Sequence, residues 1–286
     1  MSRSVAEQLQ RARAQLRRAG IATPELDAAA LLEAVTGVDR LQQITDPARR
    51  LSGTQIAVFT SLIARRAAHH PVSRLIGRRE FWSLNFEISP AVLDPRPDSE
   101  TLVDAALAWL NGRPPSRILD LGTGSGCLLL AILSERPDDT GLGVDISESA
   151  LAVARRNAEA LGAAARVSFQ QGDWCEGLPS NRFDLVISNP PYIVTEDIPA
   201  LAPEVRDHDP HQALDGGADG LTAYRMLVEQ VPRVLRPGGQ IIFELGIGQA
   251  DAVEALLADA GAQAVEKRRD LAGRIRCICA TFVEGS

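Results

Sequence analysis

Among its 286 residues the chain has one lysine, Lys267, four cysteines and four histidines, and it lacks any apolar run near the roughly 18 to 20 residues that would cross a membrane. Its start, Met1-Ser2-Arg3-Ser4, has no apolar leader core, so a cytosolic, membrane-free protein is expected. Cys127, Cys175, Cys277 and Cys279 form no Cys-x-x-Cys pair, which argues against a zinc site or a disulfide framework. Cys277 and Cys279 alternate along an apparent strand and read as core thiols. His69, His70, His208 and His211 supply no ligand set, so no metal is expected. No Ser-His-Asp set, acid pair or activated cysteine stands out, and there is no internal repeat or low-complexity tract. The near-absence of lysine reads as compositional, with arginine carrying the positive charge.

Acidic residues outnumber basic ones 37 to 30, a net −7, which opposes non-specific nucleic-acid binding because phosphate contacts need a basic surface. The charge is uneven. Residues 1–80 hold 13 Arg against 7 Asp and Glu, a net +6, and residues 81–286 hold 17 basic against 30 acidic residues, a net −13. The basic segment is either a set of solvated helix faces or a docking patch. A 45% hydrophobic content over this length suffices for one large domain and one small one.

Capping patterns predict a helical bundle first. Ser4-x-x-Glu7 opens a helix closed by Gly20, Thr23-Pro24-Glu25 opens a second ending near Gly37, and Ser52-x-x-Gln55 opens a third running toward His69. Pro71 is expected to end the bundle, and Arg78 to Ser89 reads as a strand pair. The domains expected are 1–75 (helical, substrate-docking), 76–93 (hairpin linker) and 94–286. From Ser99 onward helices and strands alternate: strands at 117–120, 141–145, 167–170, 183–188 and 240–245, the last after a Pro237-Gly238-Gly239 turn. Two further strand-like runs, 264–268 and 274–282, suggest an antiparallel pair at the sheet edge. The alternation predicts an α/β fold with a Rossmann-like, doubly wound parallel sheet.

Two motifs lie directly after strands, where open α/β sheets bind ligands. Asn189-Pro190-Pro191-Tyr192 follows Phe183 to Ser188. Neither proline has an amide N–H and each holds the residue before it extended, so the strand stops and Asn189 is fixed at its end. The Asn189 carboxamide oxygen and the Pro190 carbonyl make an acceptor pair for a planar NH2 group, with Tyr192 lying against it. In isolation the same tetrapeptide is a strand-terminating turn. Gly122, Gly124 and Gly126 alternate between a strand and a helix, letting a ligand approach the backbone; they depart from the G-x-G-x-x-G of dinucleotide sites. Asp145 ends the next strand, placed to accept both hydroxyls of a ribose or to cap a helix. Asp173 and Trp174 follow the third strand, placed to meet an adenine amino group and ring, unless Trp174 is core. Group transfer between two bound partners fits this set, and S-adenosylmethionine suits it because its methyl is already activated by the sulfonium.

These motifs, together with Pro95-Arg96-Pro97-Asp98-Ser99-Glu100, Asp215-Gly216-Gly217, Asp219-Gly220 and Asp270-Leu271-Ala272-Gly273-Arg274, resemble the bacterial HemK/PrmC family of peptide-chain-release-factor glutamine methyltransferases over nearly the whole chain. Asp94 stands where an aliphatic residue is expected, and Ser99 where threonine is more usual. The resemblance implies a class I methyltransferase sheet with S-adenosylmethionine held by Gly122, Thr123, Gly124, Ser125, Gly126, Asp145, Trp174 and Asn189; Asp173 joins the cofactor set on its position after the third strand. It further implies a glutamine amide held by Asn189, Pro190, Pro191 and Tyr192 and a class-I release factor as partner; a monomer is expected. The alternatives are an adenine-N6 DNA methyltransferase, which grips a flipped base with a similar Asn-Pro-Pro-Tyr, and a non-catalytic cofactor-binding module.

Overall fold

Capping chemistry starts the helices of the amino-terminal segment. In the computed structural model, which describes residues 3–282, α1 (Val5–Arg18) begins at Ser4, whose hydroxyl accepts the Glu7 N–H and donates to the Glu7 carboxylate. α2 (Pro24–Thr36) starts on a proline, whose missing N–H costs nothing in a first turn. Asp39 and Gln42 form a capping box that opens α3 (Arg40–Thr45), and Ser52 and Gln55 form another that opens α4 (Gly53–Ala67). Pro71 does not end the bundle: it precedes a further turn, α5 (Val72–Ile76). Both α3 and α5 are too short for a 3.6-residue hydrophobic period to reveal.

Val5, Leu9, Ala12 and Leu16 share one face of α1 and pack with Leu31, Leu32, Phe59 and Ile63 into the core of this unit. The buried Arg66 donates from Nε to Asp27 at 2.6 Å and from Nη1 to Glu204 at 2.9 Å. Glu204 also meets His69 Nδ1 at 3.0 Å, and the His70 and His208 rings lie 4.4 Å apart. The unit therefore comprises the chain up to Arg78 and the remote segment Ala202–His208.

Arg79–Leu201 and the chain from Asp209 onward make the second unit. The expected strand pair is β1 (Arg78–Phe81) and β2 (Leu84–Glu87), turning through Trp82 and Ser83, with Phe81 and Phe86 edge to face at 6.3 Å. Helix α6 (Glu100–Leu110) then leads into β3 (Arg117–Leu121), α7 (Cys127–Glu135), β4 (Thr140–Asp145), α8 (Glu148–Ala160), β5 (Val167–Gln171) and β6 (Phe183–Ser188). Short 3-10 turns and α9 (Pro203–Arg206) follow, before α10 (Thr222–Val234), β7 (Leu235–Glu244), α11 (Ala250–Asp259), β8 (Gln263–Arg269) and β9 (Ile275–Thr281).

The seven strands order as β5-β4-β3-β6-β7-β9-β8, parallel except for β9, which is antiparallel to both β7 and β8. Chain order reverses beside β3, which has β4 on one side and β6 on the other, so the switch point opens next to the ends of β3 and β6. The Pro237-Gly238-Gly239 segment is a correction: it is an irregularity within β7, where pairing with β6 skips from Leu235 to Gln240, rather than a turn preceding the strand. Alternation along the strands feeds two layers. Leu119, Leu121, Ile241 and Phe243 pack toward Leu227, Val231 and Val253, while Ile118, Leu185, Ile187 and Ile242 pack toward Leu102, Leu129 and Leu133. Cys277 and Cys279 are buried in the second layer as free thiols. No helix among the described residues is long and apolar enough to cross a membrane.

Candidate active site

At the carboxyl ends of β3, β4, β5 and β6 the second unit carries a cavity of about 330 Å³. The loop after β3 forms one wall. Gly122, Gly124 and Gly126 have φ of 70°, 54° and 79°, left-handed values at which a side chain is strained, so the alternating glycines are required by the backbone path itself. The Gly122 and Thr123 N–H groups donate to the Val144 carbonyl at 2.9 and 3.0 Å. Asp145, at the end of β4, accepts the Gly124 N–H at 2.8 Å on one oxygen and the Ser147 N–H at 2.9 Å on the other. It thus ties the glycine loop to the next strand, while Ser147 itself caps α8. Burial raises the Asp145 carboxyl above the ordinary carboxylate range, and the two backbone donors oppose the rise. Each oxygen keeps a second lone pair for a ligand hydroxyl.

Beneath the loop, Asp120 is fully buried and accepts the Thr123 hydroxyl at 2.6 Å; burial pushes it up to about 7. Trp174 is half-buried: it lines the cavity and packs against the core, with its ring edge 3.8 Å from where a Gly122 Cβ would stand. Cys127 reaches the wall too, but burial pushes its thiol up to about 12, leaving it neutral and a poor nucleophile near neutrality.

Asn189 enters from the end of β6. Its Nδ2 donates to Ser99 Oγ at 3.4 Å, so the acceptor Oδ1 is the other end of the carboxamide. Of the residues expected here, Gly122, Thr123, Gly124, Ser125, Asp145, Asp173, Trp174, Asn189 and Pro191 line the cavity; Gly126, Pro190 and Tyr192 are not among its lining. Pro190 is buried. The Tyr192 hydroxyl turns inward and donates to Glu244 Oε1 at 3.3 Å, and burial pushes its pKa upward.

The chain after Tyr192 is braced by residues that motif reading alone leaves without a role. Gln249 Nε2 donates to the Tyr192 carbonyl at 2.9 Å while its Oε1 accepts the Gly246 N–H at 3.0 Å. Asp215 accepts the Thr195 hydroxyl and the Gly217 N–H. A Cβ at Gly216 would stand 2.8 Å from Tyr192 backbone carbons, and one at Gly220 2.6 Å from the Tyr192 carbonyl oxygen, so the Asp-Gly-Gly and Asp-Gly motifs let this backbone press against the Asn-Pro-Pro-Tyr turn. Asp94 is buried, with its backbone N–H donating to Asp209 at 3.3 Å and its carboxylate 3.9 Å from the Arg79 guanidinium.

Comparison with known proteins places this architecture. The family model for the PrmC N-terminal domain matches residues 7–77, and that for a methyltransferase domain matches residues 114–279. A release factor glutamine methyltransferase of Caulobacter vibrioides is 49% identical over 93% of this chain and 92% of its own length. The chain belongs to the release factor glutamine methyltransferase family. Another member, from Rhodospirillum rubrum, is 47% identical over 93% of this chain and 81% of that relative. A methyltransferase of Pyrococcus furiosus, 18% identical, superposes with a TM-score of 0.54 over 81% of this chain and the whole of that one, a likeness of fold. For a family that transfers a methyl from S-adenosylmethionine, the cavity fits. It offers a glycine cradle open to a ligand, carboxylate acceptors at Asp145 and Asp173, and apolar surface from Trp174, Ile146 and Leu128.

Proposed function

We propose that the protein transfers the methyl group of S-adenosylmethionine to the side-chain amide nitrogen of the glutamine in the Gly-Gly-Gln motif of class-I peptide chain release factors. The observation that supports this reading best is the shared wall: Asn189, the end of an amide grip, lines the same cavity as the glycine loop and Asp145. The cofactor supplies a methyl already activated by its sulfonium. The residues then have to hold and orient. Gly122 to Gly126 let the backbone come close, Asp145 accepts ribose hydroxyls, and Asp173 and Trp174 meet the adenine. Asn189 Oδ1 and the Pro190 carbonyl accept the two amide hydrogens and turn the nitrogen lone pair toward the methyl, with Pro191 and Tyr192 supporting the amide plane. The nitrogen becomes acidic as it is alkylated, so the proton leaves without a strong base at the site.

We further infer that the helical unit selects the protein substrate. Its residues 1–78 carry 12 Arg against 6 Asp and Glu, a net +6, and it holds none of the chemical motifs. The enzyme is read as a monomer without stable nucleic-acid binding, in keeping with its net −7. Mass spectrometry of a purified class-I release factor, incubated with the protein and S-adenosylmethionine, tests the assignment. A gain of one methyl on the Gly-Gly-Gln glutamine is expected. Methylation of adenine in duplex DNA instead, or of nothing, would overturn it.

A further inference from the structure

The Asn189-Pro190-Pro191-Tyr192 turn has little main chain by which to be held. Neither proline has an N–H to donate, and on the amide-gripping reading the Pro190 carbonyl stays open for the substrate. Gln249 takes the carbonyl of Tyr192 instead. It is the residue before α11, yet its side chain makes no capping bond to that helix. Nε2 donates to the Tyr192 carbonyl at 2.9 Å and to the Gly220 carbonyl at 3.2 Å, and Oε1 accepts the Gly246 N–H at 3.0 Å. One carboxamide thereby joins three segments that are far apart in the chain.

The packing is as specific as the bonding. A Cβ at Gly246 would stand 2.5 Å from Gln249 Oε1 and 3.0 Å from Tyr192 Cδ2. Gly246 is not among the glycines with left-handed φ, so what excludes a side chain there is the carboxamide and the tyrosine ring themselves. A Cβ at Gly220 would likewise stand 2.5 Å from Gln249 Nε2. With its hydroxyl on Glu244 at 3.3 Å, Tyr192 is held at its ring tip and at its carbonyl by the two residues that flank Leu245-Gly246-Ile247-Gly248.

We propose that Gln249 is a positioning residue for the methyl transfer: by clamping the Tyr192 carbonyl between Gly220 and Gly246, its carboxamide sets the place of Asn189 Oδ1 and the Pro190 carbonyl. The proposal rests on the amide-gripping reading above. Gln249 is not part of the cavity wall, so it acts through the turn. The two prolines make that turn stiff, because each ring fixes its own φ, and a shift at Tyr192 is passed back to the Pro190 carbonyl rather than absorbed on the way. Both ends of the carboxamide are needed. A glutamate in its place would still accept the Gly246 N–H but would present an oxygen, not an NH2, to two carbonyls. A methionine would fill a similar space and make none of the three bonds.

The test uses the full-length protein with S-adenosylmethionine and a purified class-I release factor. Gln249→Met is expected to lower kcat about tenfold, within the range for a small misplacement of a reacting group, and Gln249→Glu to lower it at least as far. KM for the release factor and the calorimetric affinity for S-adenosylmethionine should stay within about twofold of wild type, since neither the docking unit nor the glycine loop is altered. Other roles for Gln249 would order the variants differently. Were it only to hold the Gly246 N–H, the glutamate variant would keep wild-type kcat; were it only to fill space, the methionine variant would. Either result overturns the assignment, as does a fall in cofactor affinity equal to the fall in kcat. Gly246→Ala displaces the same carboxamide from another position and should also lower kcat, and its combination with Gln249→Met should be no worse than the worse single variant, so additive losses would count against the clamp. Should the Gln249 variants not fold, Gly246→Ala decides: wild-type kcat there refutes the clamp, and a lower kcat with cofactor affinity retained supports it. Full turnover of Asn189→Ala would instead remove the amide grip itself, so the two failures are distinguishable.

Discussion

Replacing Glu244, the last residue of β7, by glutamine should make the protein more stable at alkaline pH. The carboxyl has an ordinary pKa of 4.5 in an exposed chain and about 7 in the fold, raised chiefly by burial. Below its unfolded pKa the group is protonated in both states and burial of charge costs nothing. As pH rises from about 4.5 to about 7 the unfolded chain ionises first, and stability falls at about 1.4 kcal/mol per pH unit. Above the folded pKa both states are charged and the cost is constant, at roughly 3 kcal/mol for a shift of this size. At 2% exposure no discount for solvent screening applies.

Glutamine has nearly the same shape, still accepts the Tyr192 hydroxyl and never ionises. Part of the 3 kcal/mol is lost again because its NH2 group replaces Oε2, which is buried without a hydrogen-bond partner among the described residues, and gains no good acceptor, so a net gain of about 1 to 3 kcal/mol is expected at alkaline pH. The assay is chemical unfolding of both proteins at a series of pH values from about 4 to about 9. Every other titrating group, Asp120 included, cancels in the difference between variant and wild type. That difference should be near zero or unfavourable to the variant at the acid end, grow between the two pKa values and level off above them. A difference that stays flat across the interval would mean that Glu244 titrates normally, and the argument from burial would be wrong.

Asp145→Ala should weaken S-adenosylmethionine binding roughly tenfold to hundredfold by calorimetry, since charge-assisted bonds to ribose are worth about 1.5–3 kcal/mol and the Gly124 tether goes with them; unchanged affinity would reduce Asp145 to a loop tie. Asn189→Ala should fold normally and lose roughly a hundredfold in turnover, as when one preorganised polar group is removed from a reacting centre; a wild-type rate would sink the amide grip. Gly220→Ala should lower stability by roughly 2 kcal/mol or more and impair turnover, because its φ of 74° disfavours a side chain and the new Cβ would lie 2.6 Å from the Tyr192 carbonyl oxygen. Glu204→Gln should destabilise the helical unit by roughly 2 kcal/mol near neutrality. Burial alone would raise Glu204, but bonds from His69 and Arg66 hold it at about 2, so its contribution is present above about 4.5 and should fade as pH falls toward 2; a variant no less stable than wild type at neutral pH would show that Arg66 needs only Asp27.

What the sequence discloses follows from how local each determinant is. The sheet was legible because β3, β6 and β7 carry apolar runs bounded by glycines or prolines, and strand endings mark the edge that holds the cavity without any knowledge of pairing; β5, Val-Ser-Phe-Gln-Gln, is mostly exposed and passes to β6 without a helix. The glycine loop, Asp145 and Asn189 were legible for the same reason, since each proposed role sits on residues at the end of a strand. The short helices α3 and α5 escaped because one turn cannot show a period, although Asp39-x-x-Gln42 is a capping signal of the kind that located α4. Glu244, Ser99 and Gln249 escaped for a different reason. They are 55, 90 and 60 residues from Asn189 in the chain and meet its turn only once β7 pairs with β6 and the segment before α6 folds back on the sheet. Glu244 in particular reads as the polar end of the strand Ile241-Ile242-Phe243, where a solvated carboxylate is the ordinary outcome. Only its burial distinguishes it, and burial is a property of the assembled sheet. The membership of Ala202–His208 in the helical unit is of the same kind: a Glu204–Arg66 pair joins residues 138 apart, and no pattern in either segment announces it. Motifs therefore name residues at strand ends, while the side chains that brace their turns, such as Gln249 and Glu244 at Tyr192, come from distant segments and must be sought by their burial and bonding.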